Sequence, residues 1–215
     1  MKRTDIYPVS IFQSSVANNS RLKELMVPII EDAKGHKDNQ APEIWFTDNL
    51  KTSWDNKHPC NDMLFGDNNT GNEVMSSYFE VLKTFPILDK CRLEIAWIWW
   101  NYYSNGEYQD AHNHLSHILN PIHYSCVHFL SYDPSIHAPL LFSDPIFTLR
   151  TQTLEFGSEG YKETCAMDVK EGDVLLFPCY MQHEVRPSKP TPEYPRVTVS
   201  WNIKITDSEF MPHDW

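Results

Sequence analysis

Apolar residues recur along this chain with two periods, and the period changes near residue 90. In residues 20–31, Leu22, Leu25, Met26 and Ile29 fall three and four apart, which predicts an amphipathic helix. Ser20 is placed to cap it, and Pro28 is expected to kink or shorten it. Residues 73–85 repeat the pattern through Val74, Tyr78, Val81, Leu82 and Phe85, and Pro86 ends it. Residues 5–16 alternate loosely, which predicts a short strand that Pro8 confines to a sheet edge. Residues 34–73 are polar, with Gly, Asn, Asp and Pro scattered among Trp45, Phe46, Trp54 and Phe65. That mixture predicts a long loop anchored by its aromatic side chains.

From Arg92 onward the spacing becomes two. Leu93, Ile95, Trp97, Trp99, Asn101 and Tyr103 fall on one face, and Glu94, Ala96, Ile98, Trp100 and Tyr102 on the other. Both rows are largely apolar, so a central strand covered on both sides is expected. Ser104-Asn105-Gly106 then signals a turn. Further strands are expected over 122–132, 139–143, 146–154, 173–177, 182–186 and 196–205. In the last of these, Arg196, Thr198, Ser200, Asn202 and Lys204 share one face, opposite Val197, Val199, Trp201, Ile203 and Ile205. Such a polar row suits an exposed edge, or the interior of a small barrel that holds a charged ligand. Two helices followed by many strands predict the α+β class, mainly β, with a double-sheet jelly roll as the dominant piece and the helices covering one sheet. We divide this single compact domain into a support region, 1–90, and a core, 91–215.

Composition narrows the functions. The 215 residues carry 29 acidic against 18 basic side chains, a net charge of -11, which argues against a broad surface for nucleic acid or an anionic membrane. The five cysteines, Cys60, Cys91, Cys126, Cys165 and Cys179, are odd in number and lack CxxC spacing, as expected of reduced, mostly buried thiols. No apolar run reaches the length of a membrane span, and no signal-peptide core follows Met1. A soluble, cytoplasmic protein is expected.

The chemistry concentrates around Tyr108-Gln109-Asp110-Ala111-His112-Asn113-His114. On an extended backbone His112 and His114 point the same way, so two imidazoles can reach one metal ion. His183 is a distant third candidate, and Arg196 beyond it can hold an anionic cosubstrate. Non-haem Fe(II) oxygenases use two His and one carboxylate on one face of the metal. Asp110, two residues before His112, and Asp144, after another strand, are candidate carboxylates; the remaining alternative is three His. His117, His123, His128 and His137 have no comparable partner pattern and are assigned to the surface or the core edge.

The order of blocks resembles a known family. Gly106-Glu107-Tyr108-Gln109 precedes His112-x-His114; Tyr124-Ser125-Cys126-Val127-His128-Phe129-Leu130 follows. Then come Leu141-Phe142-Ser143-Asp144-Pro145, Glu171-Gly172-Asp173-Val174-Leu175-Leu176-Phe177-Pro178, His183, and the run from Arg196 to Ile203. The series is similar to the 2-oxoglutarate- and Fe(II)-dependent oxygenases common among tailed phages, especially marine ones, and covers about residues 95–205. The resemblance implies a double-stranded β-helix (cupin-like) core and Fe(II) held by His112, His114 and His183. Arg196 would pair with the distal carboxylate of 2-oxoglutarate, with Thr198 beside it and Asn202 and Asn101 orienting the cosubstrate. No catalytic residue beyond the metal ligands is implied. The broader superfamily has His-x-Asp where this chain has His-x-His.

The implied reaction consumes O2 and 2-oxoglutarate, releases succinate and CO2, and hydroxylates a substrate, a small molecule or a protein residue, in the cytoplasm (of the host cell, for a phage protein). Trp97, Trp99, Trp100, Tyr102, Tyr103 and Tyr180 are candidates to wall the pocket. Two other readings fit the same pattern. One is a three-His cupin-like dioxygenase that needs no 2-oxoglutarate and no buried Arg. The other is a non-catalytic jelly-roll protein that binds a partner or sits in a virion.

Overall fold

A computed structural model describes residues 9–43, 45, 47, 49–55, 57–115, 121–144 and 163–208. Pro8, Phe46, His117 and the strand expected over 146–154 lie outside them. Two 13-residue strands, β3 (Cys91–Tyr103) and β10 (Arg196–Ser208), run antiparallel side by side. With β1 (Phe12–Ser15), β2 (Lys51–Thr52), β5 (Tyr124–Ser131) and β8 (Asp173–Pro178) they form a six-stranded antiparallel sheet, order β1-β8-β5-β10-β3-β2. A second sheet has the order β4-β9-β6-β7, from β4 (Gln109–His112), β6 (Leu140–Ser143), β7 (Thr164–Ala166) and β9 (His183–Val185). The protein is thus mainly β, with its described sheets antiparallel.

Three α-helices accompany the larger sheet: α1 (Asn19–Ala33), α2 (Cys60–Phe65) and α3 (Asn69–Leu82). Leu22, Met26 and Ile30 of α1 and Val74, Tyr78 and Val81 of α3 share one buried cluster with Trp100, Val197, Val199, Trp201 and Ile203 of the sheet. Each such side chain stabilises the fold by about 1.5–3 kcal/mol relative to an exposed one. The Tyr78 ring stacks on Trp201 with centroids 4.5 Å apart. The apolar row expected on the last strand is therefore the row that meets the helices.

Several local expectations are corrected. The cap of α1 is Asn18, not Ser20, and its side chain makes no capping bond. Pro28 neither ends nor shortens α1, which runs five residues beyond it. The second helix starts earlier than its apolar stripe, because Asn68 Oδ1 accepts from Gly71 N and fixes its first turn. Residues 34–73 are not one loop: they hold a 3₁₀ turn (Lys37–Asn39), β2 and α2. These pieces are too short for periodicity to register.

The two faces of β3 also depart from strict alternation. Asn202 pairs with Trp97, but the next residue, Ile203, pairs with Ile95. Ala96 is an extra residue, a β-bulge, and parity reverses across it. Leu93 and Ile95 consequently join Ile98 and Trp100 on the helix side, while Trp99, Asn101 and Tyr103 face the second sheet. Nor is β3 covered along its whole length: β2 pairs only with Asn101 and Tyr102, and burial is complete only over 99–103.

Candidate metal centre

The turn after β3 aims β4 at the second sheet. Gly106 has φ +85, and a Cβ there would sit 2.6 Å from the Ser188 carbonyl oxygen, so this corner requires glycine. Glu107 closes the same turn by accepting from the backbone N–H groups of Ser104 and Asn105, each at 2.6 Å. β4 then pairs with β9 so that His112 lies directly opposite His183. His114 follows just past the strand end, where its N–H donates to the Cys179 carbonyl at 2.8 Å and ties β4 to the end of β8. Two short strands and one inter-sheet bond thus gather three imidazoles from two distant stretches of sequence.

Their ring centroids are 4.2 Å apart for His112 and His183, 4.9 Å for His114 and His183, and 5.3 Å for His112 and His114. One nitrogen from each lies within 4.8 Å of the others. Neither Asp110 nor Asp144 joins this group. Asp110 contributes its backbone instead: its carbonyl accepts from His112 Nδ1 at 2.7 Å. His183 Nδ1 donates to the Met181 carbonyl at 2.9 Å. His114 Nδ1 donates into Asn202 Oδ1 and Ser125 Oγ, each at 2.8 Å, and Ser125 Oγ donates to the same Asn202 oxygen at 2.9 Å. Every Nδ1 is therefore committed, which leaves the three Nε2 lone pairs for a ligand.

Burial keeps these rings neutral. Loss of solvation pushes His114 down to about 3, helped by the neighbouring His112, and drives His183 well below its ordinary value. His112 is lowered for the same reason, against the opposing pull of the Asp110 carbonyl. Neutral imidazole is the form that binds metal, and three converging nitrogen donors suit a first-row divalent ion such as Fe(II).

Arg196, Thr198, Asn101 and the three histidines line one inner cavity between the sheets. Arg196 is 2 % exposed, and its Nε and Nη1 have no hydrogen-bond partner. Its guanidinium carbon sits 4.5 Å from the Tyr103 ring centroid, with Phe129 and Tyr132 at 5.8 and 5.9 Å. No carboxylate among the described residues pairs with it. A buried charge without an ion partner is costly, so this one fits an incoming anion. Asn101 Oδ1, two residues from Tyr103, is also buried and unpartnered.

Outside the histidines a wider cleft of ≈ 430 Å³ opens, walled by Trp45, Trp54, Trp97 and Trp99. Of the aromatic residues expected to wall a pocket, Trp97 and Trp99 do so and Tyr103 lines the inner cavity. Trp100 and Tyr102 belong to the helix-side core, and Tyr180 is 44 % exposed. Trp45 and Trp54 come from the stretch read as an anchored loop, and indoles in an otherwise polar segment were their only signal. His128 is not at the core edge but fully buried, between Tyr78 and Asn19. His137 is buried beside Tyr194, and His123 is half-buried.

Residues 97–202, the segment that carries the three histidines and Arg196, match the model of the family described as "Putative 2OG-Fe(II) oxygenase". The matched segment is that of a 2OG-Fe(II) oxygenase. As an oxygenase of this family it is an oxidoreductase that uses Fe(II), 2-oxoglutarate and O2. No curated protein matches it by sequence. Solved oxygenases share its fold at low identity. HygX from Streptomyces hygroscopicus, with nickel, 2-oxoglutarate and hygromycin B bound, aligns at TM-score 0.56 and 12% identity over 92% of this chain and 84% of that one. The viral collagen prolyl hydroxylase of Paramecium Bursaria Chlorella virus-1, in its 2OG complex, aligns at 0.55 and 11% over 90% and 94%. A Trichoplax adhaerens prolyl hydroxylase, in complex with a hypoxia inducible factor oxygen degradation domain peptide, aligns at 0.53 and 12% over 89% and 82%. Among the described residues of this oxygenase, no helix is long and apolar enough to cross a membrane.

Proposed function

We propose that this protein hydroxylates a C–H bond of a substrate held in the tryptophan-walled cleft, with Fe(II) bound by His112, His114 and His183 through Nε2. The observation that carries this reading is one cavity containing both three uncommitted, neutral imidazole nitrogens and a buried arginine with two unpartnered N–H groups. Metal and cosubstrate together supply the oxidation: 2-oxoglutarate is split to succinate and CO2 as O2 is reduced, and one oxygen atom enters the substrate. The chain's own residues bind, orient and enclose. Arg196 receives the distal carboxylate of 2-oxoglutarate with its planar guanidinium, whose Nε and Nη1 are buried without partners. Thr198 and Asn101, buried in the same cavity, are placed to share that ligand. Asn202 was expected to orient the cosubstrate; its bond to His114 supports a role in aiming a metal ligand. Trp99, 2 % exposed, lines both the inner cavity and the outer cleft beside the histidines.

We read the two facing sheets as a double-stranded β-helix, with residues 1–90 as its support and part of its substrate wall. A cleft of ≈ 430 Å³ suits a small molecule or one residue of a peptide, and the solved relatives hold ligands of both kinds. Anaerobic titration of the purified protein with Fe(II) and then 2-oxoglutarate tests the proposal. A weak visible charge-transfer band, saturating at one equivalent of each, is expected. Iron binding with no band and no affinity for 2-oxoglutarate would favour the three-His dioxygenase reading instead.

A further inference from the structure

The wall of the outer cleft is built mostly from indole. Trp54 lies edge-on to Trp99 with centroids 4.4 Å apart, and touches Trp45 and Trp97 at 5.2 and 5.7 Å. Trp97 is fixed by an Nε1–H bond to the Trp54 carbonyl at 3.1 Å, yet remains 45% exposed. One exposed apolar residue is ordinary, but a contiguous aromatic wall beside a histidine cluster is a surface for a ring. The cleft is also polarised. Among its described lining residues the only formally charged side chain is Asp110, and none is Lys or Arg. The Asp110 backbone anchors His112 at 2.7 Å, so β4 holds this exposed carboxylate at the edge of the histidine cluster. Among the described residues the one buried Lys or Arg side chain, Arg196, lines the inner cavity and not this cleft. An anion entering here would meet a carboxylate, the negative faces of four indoles, and the field of a chain with net charge -11.

We propose that the cleft selects a substrate that combines a ring-sized apolar face with a positively charged amine. The ring lies against the tryptophan wall and the ammonium turns toward Asp110, which makes Asp110 a specificity-determining residue. The inference rests on the reading of the three histidines and Arg196 as the Fe(II) and 2-oxoglutarate site, and it names what that site acts upon. The chemistry disfavours nucleotides and other phosphate-bearing substrates.

Three probes that share one ring and differ in charge test it: tryptamine, indole and indole-3-acetate. Each is titrated calorimetrically into the anaerobic protein holding Fe(II) and saturating 2-oxoglutarate. The charge-transfer band is followed in parallel, so that displacement of the cosubstrate by a carboxylate is seen. Tryptamine is expected to bind about tenfold or more tighter than indole-3-acetate, since one nearby charge alters each affinity by roughly fivefold in opposite directions. Asp110→Asn should weaken tryptamine about fivefold, strengthen indole-3-acetate and leave indole unchanged. Trp97→Ala should weaken all three. Equal affinity of wild type for the two charged probes, an unchanged ratio in Asp110→Asn, or binding of none of the three would overturn the proposal. If no band forms but the charge order holds, the selectivity of the cleft stands and the metal–cosubstrate reading falls.

Discussion

The two faces of the six-stranded sheet bury histidine on opposite terms. On the helix side, His128 spends both nitrogens: Nε2–H donates to Asn19 Oδ1 at 2.9 Å, and Nδ1 accepts from the Tyr78 hydroxyl at 3.2 Å. On the inner side, His112, His114 and His183 each spend only Nδ1, and the other three nitrogens face one another. Arg196 repeats the contrast, buried with Nε and Nη1 unpartnered. Burial alone therefore does not mark function. A buried polar group with complete partners belongs to the structure, whereas a converging set with lone pairs and protons to spare costs stability until a ligand completes it. Isolated orphans do not meet that standard: the Trp201 Nε1 on the helix side is also unpartnered, but nothing converges on it.

The contrast breaks most completely at the metal. His183→Ala or His112→Ala should abolish stoichiometric Fe(II) binding in folded protein, measured by metal analysis after anaerobic loading. His128→Gln should leave it intact. Unchanged iron in both inner-side variants would mean that the convergent nitrogens hold no ion. The assignment of His114 over Asp110 is sharpened by the same assay, since Asp110→Asn should keep full iron content.

Next in size is the cosubstrate. Arg196→Leu should weaken 2-oxoglutarate by about 2–5 kcal/mol, roughly 30- to 5,000-fold, because the incoming carboxylate is left buried without its partner. Iron binding should be largely kept. Arg196→Lys should recover only part of the loss, since an ammonium cannot make the fork. Wild-type affinity for 2-oxoglutarate in Arg196→Leu would remove Arg196 from the site.

A smaller effect is expected at Asn202, which is bonded to His114 Nδ1 and is not among the proposed metal ligands. Asn202→Ala should lower Fe(II) affinity by about tenfold to a hundredfold, the range typical of groups that fix a ligand from behind. Ser125→Ala should cost less, because Asn202 Oδ1 still holds the imidazole. An Asn202→Ala protein with full metal affinity but weakened 2-oxoglutarate would instead restore the cosubstrate role first expected for this residue.

The sequence carried much of this arrangement, but unevenly. The polar row of Arg196, Thr198, Ser200 and Asn202 stood out because period-two alternation over a long strand leaves no other assignment of faces. His112 and His114 were legible for the same reason, and His183 through the order of the surrounding blocks. The partner of His112 across the sheet was not legible, since antiparallel register between β4 and β9 depends on turns far from either histidine. The bulge at Ala96 was invisible: both faces of β3 are apolar, so a reversal of parity changes no pattern. Trp45 and Trp54 reach the cleft from a region with no period at all, and only tertiary packing assigns them a place.

The smallest effect separates the two faces by pH. Burial drives His128 down to about 3, so it stays neutral in the folded protein where the unfolded chain takes up a proton. Above the ordinary histidine value of 6.5 the two states bind equal numbers of protons here, and the contribution of His128 to stability is fully present. As pH falls from 6.5 toward 3 the unfolded state gains the proton and the folded state does not, so stability is lost at a rate that rises to about 1.4 kcal/mol per pH unit between the two values. His128→Gln removes that titration while offering an amide to the same two neighbours. Urea unfolding at pH 6.5 and 5.5 should show wild type losing about 1 kcal/mol more than the variant over that unit, because the unfolded imidazole is only half protonated at the upper pH. The difference should be the same with and without Fe(II), because His128 lies across the sheet from the three convergent histidines. The inner-side histidines contribute a similar acid sensitivity in metal-free protein, and both proteins share it, so it cancels. Parallel stability curves for wild type and His128→Gln would show that this imidazole is not held neutral, and the distinction between a completed and an open histidine would lose its helix-side example.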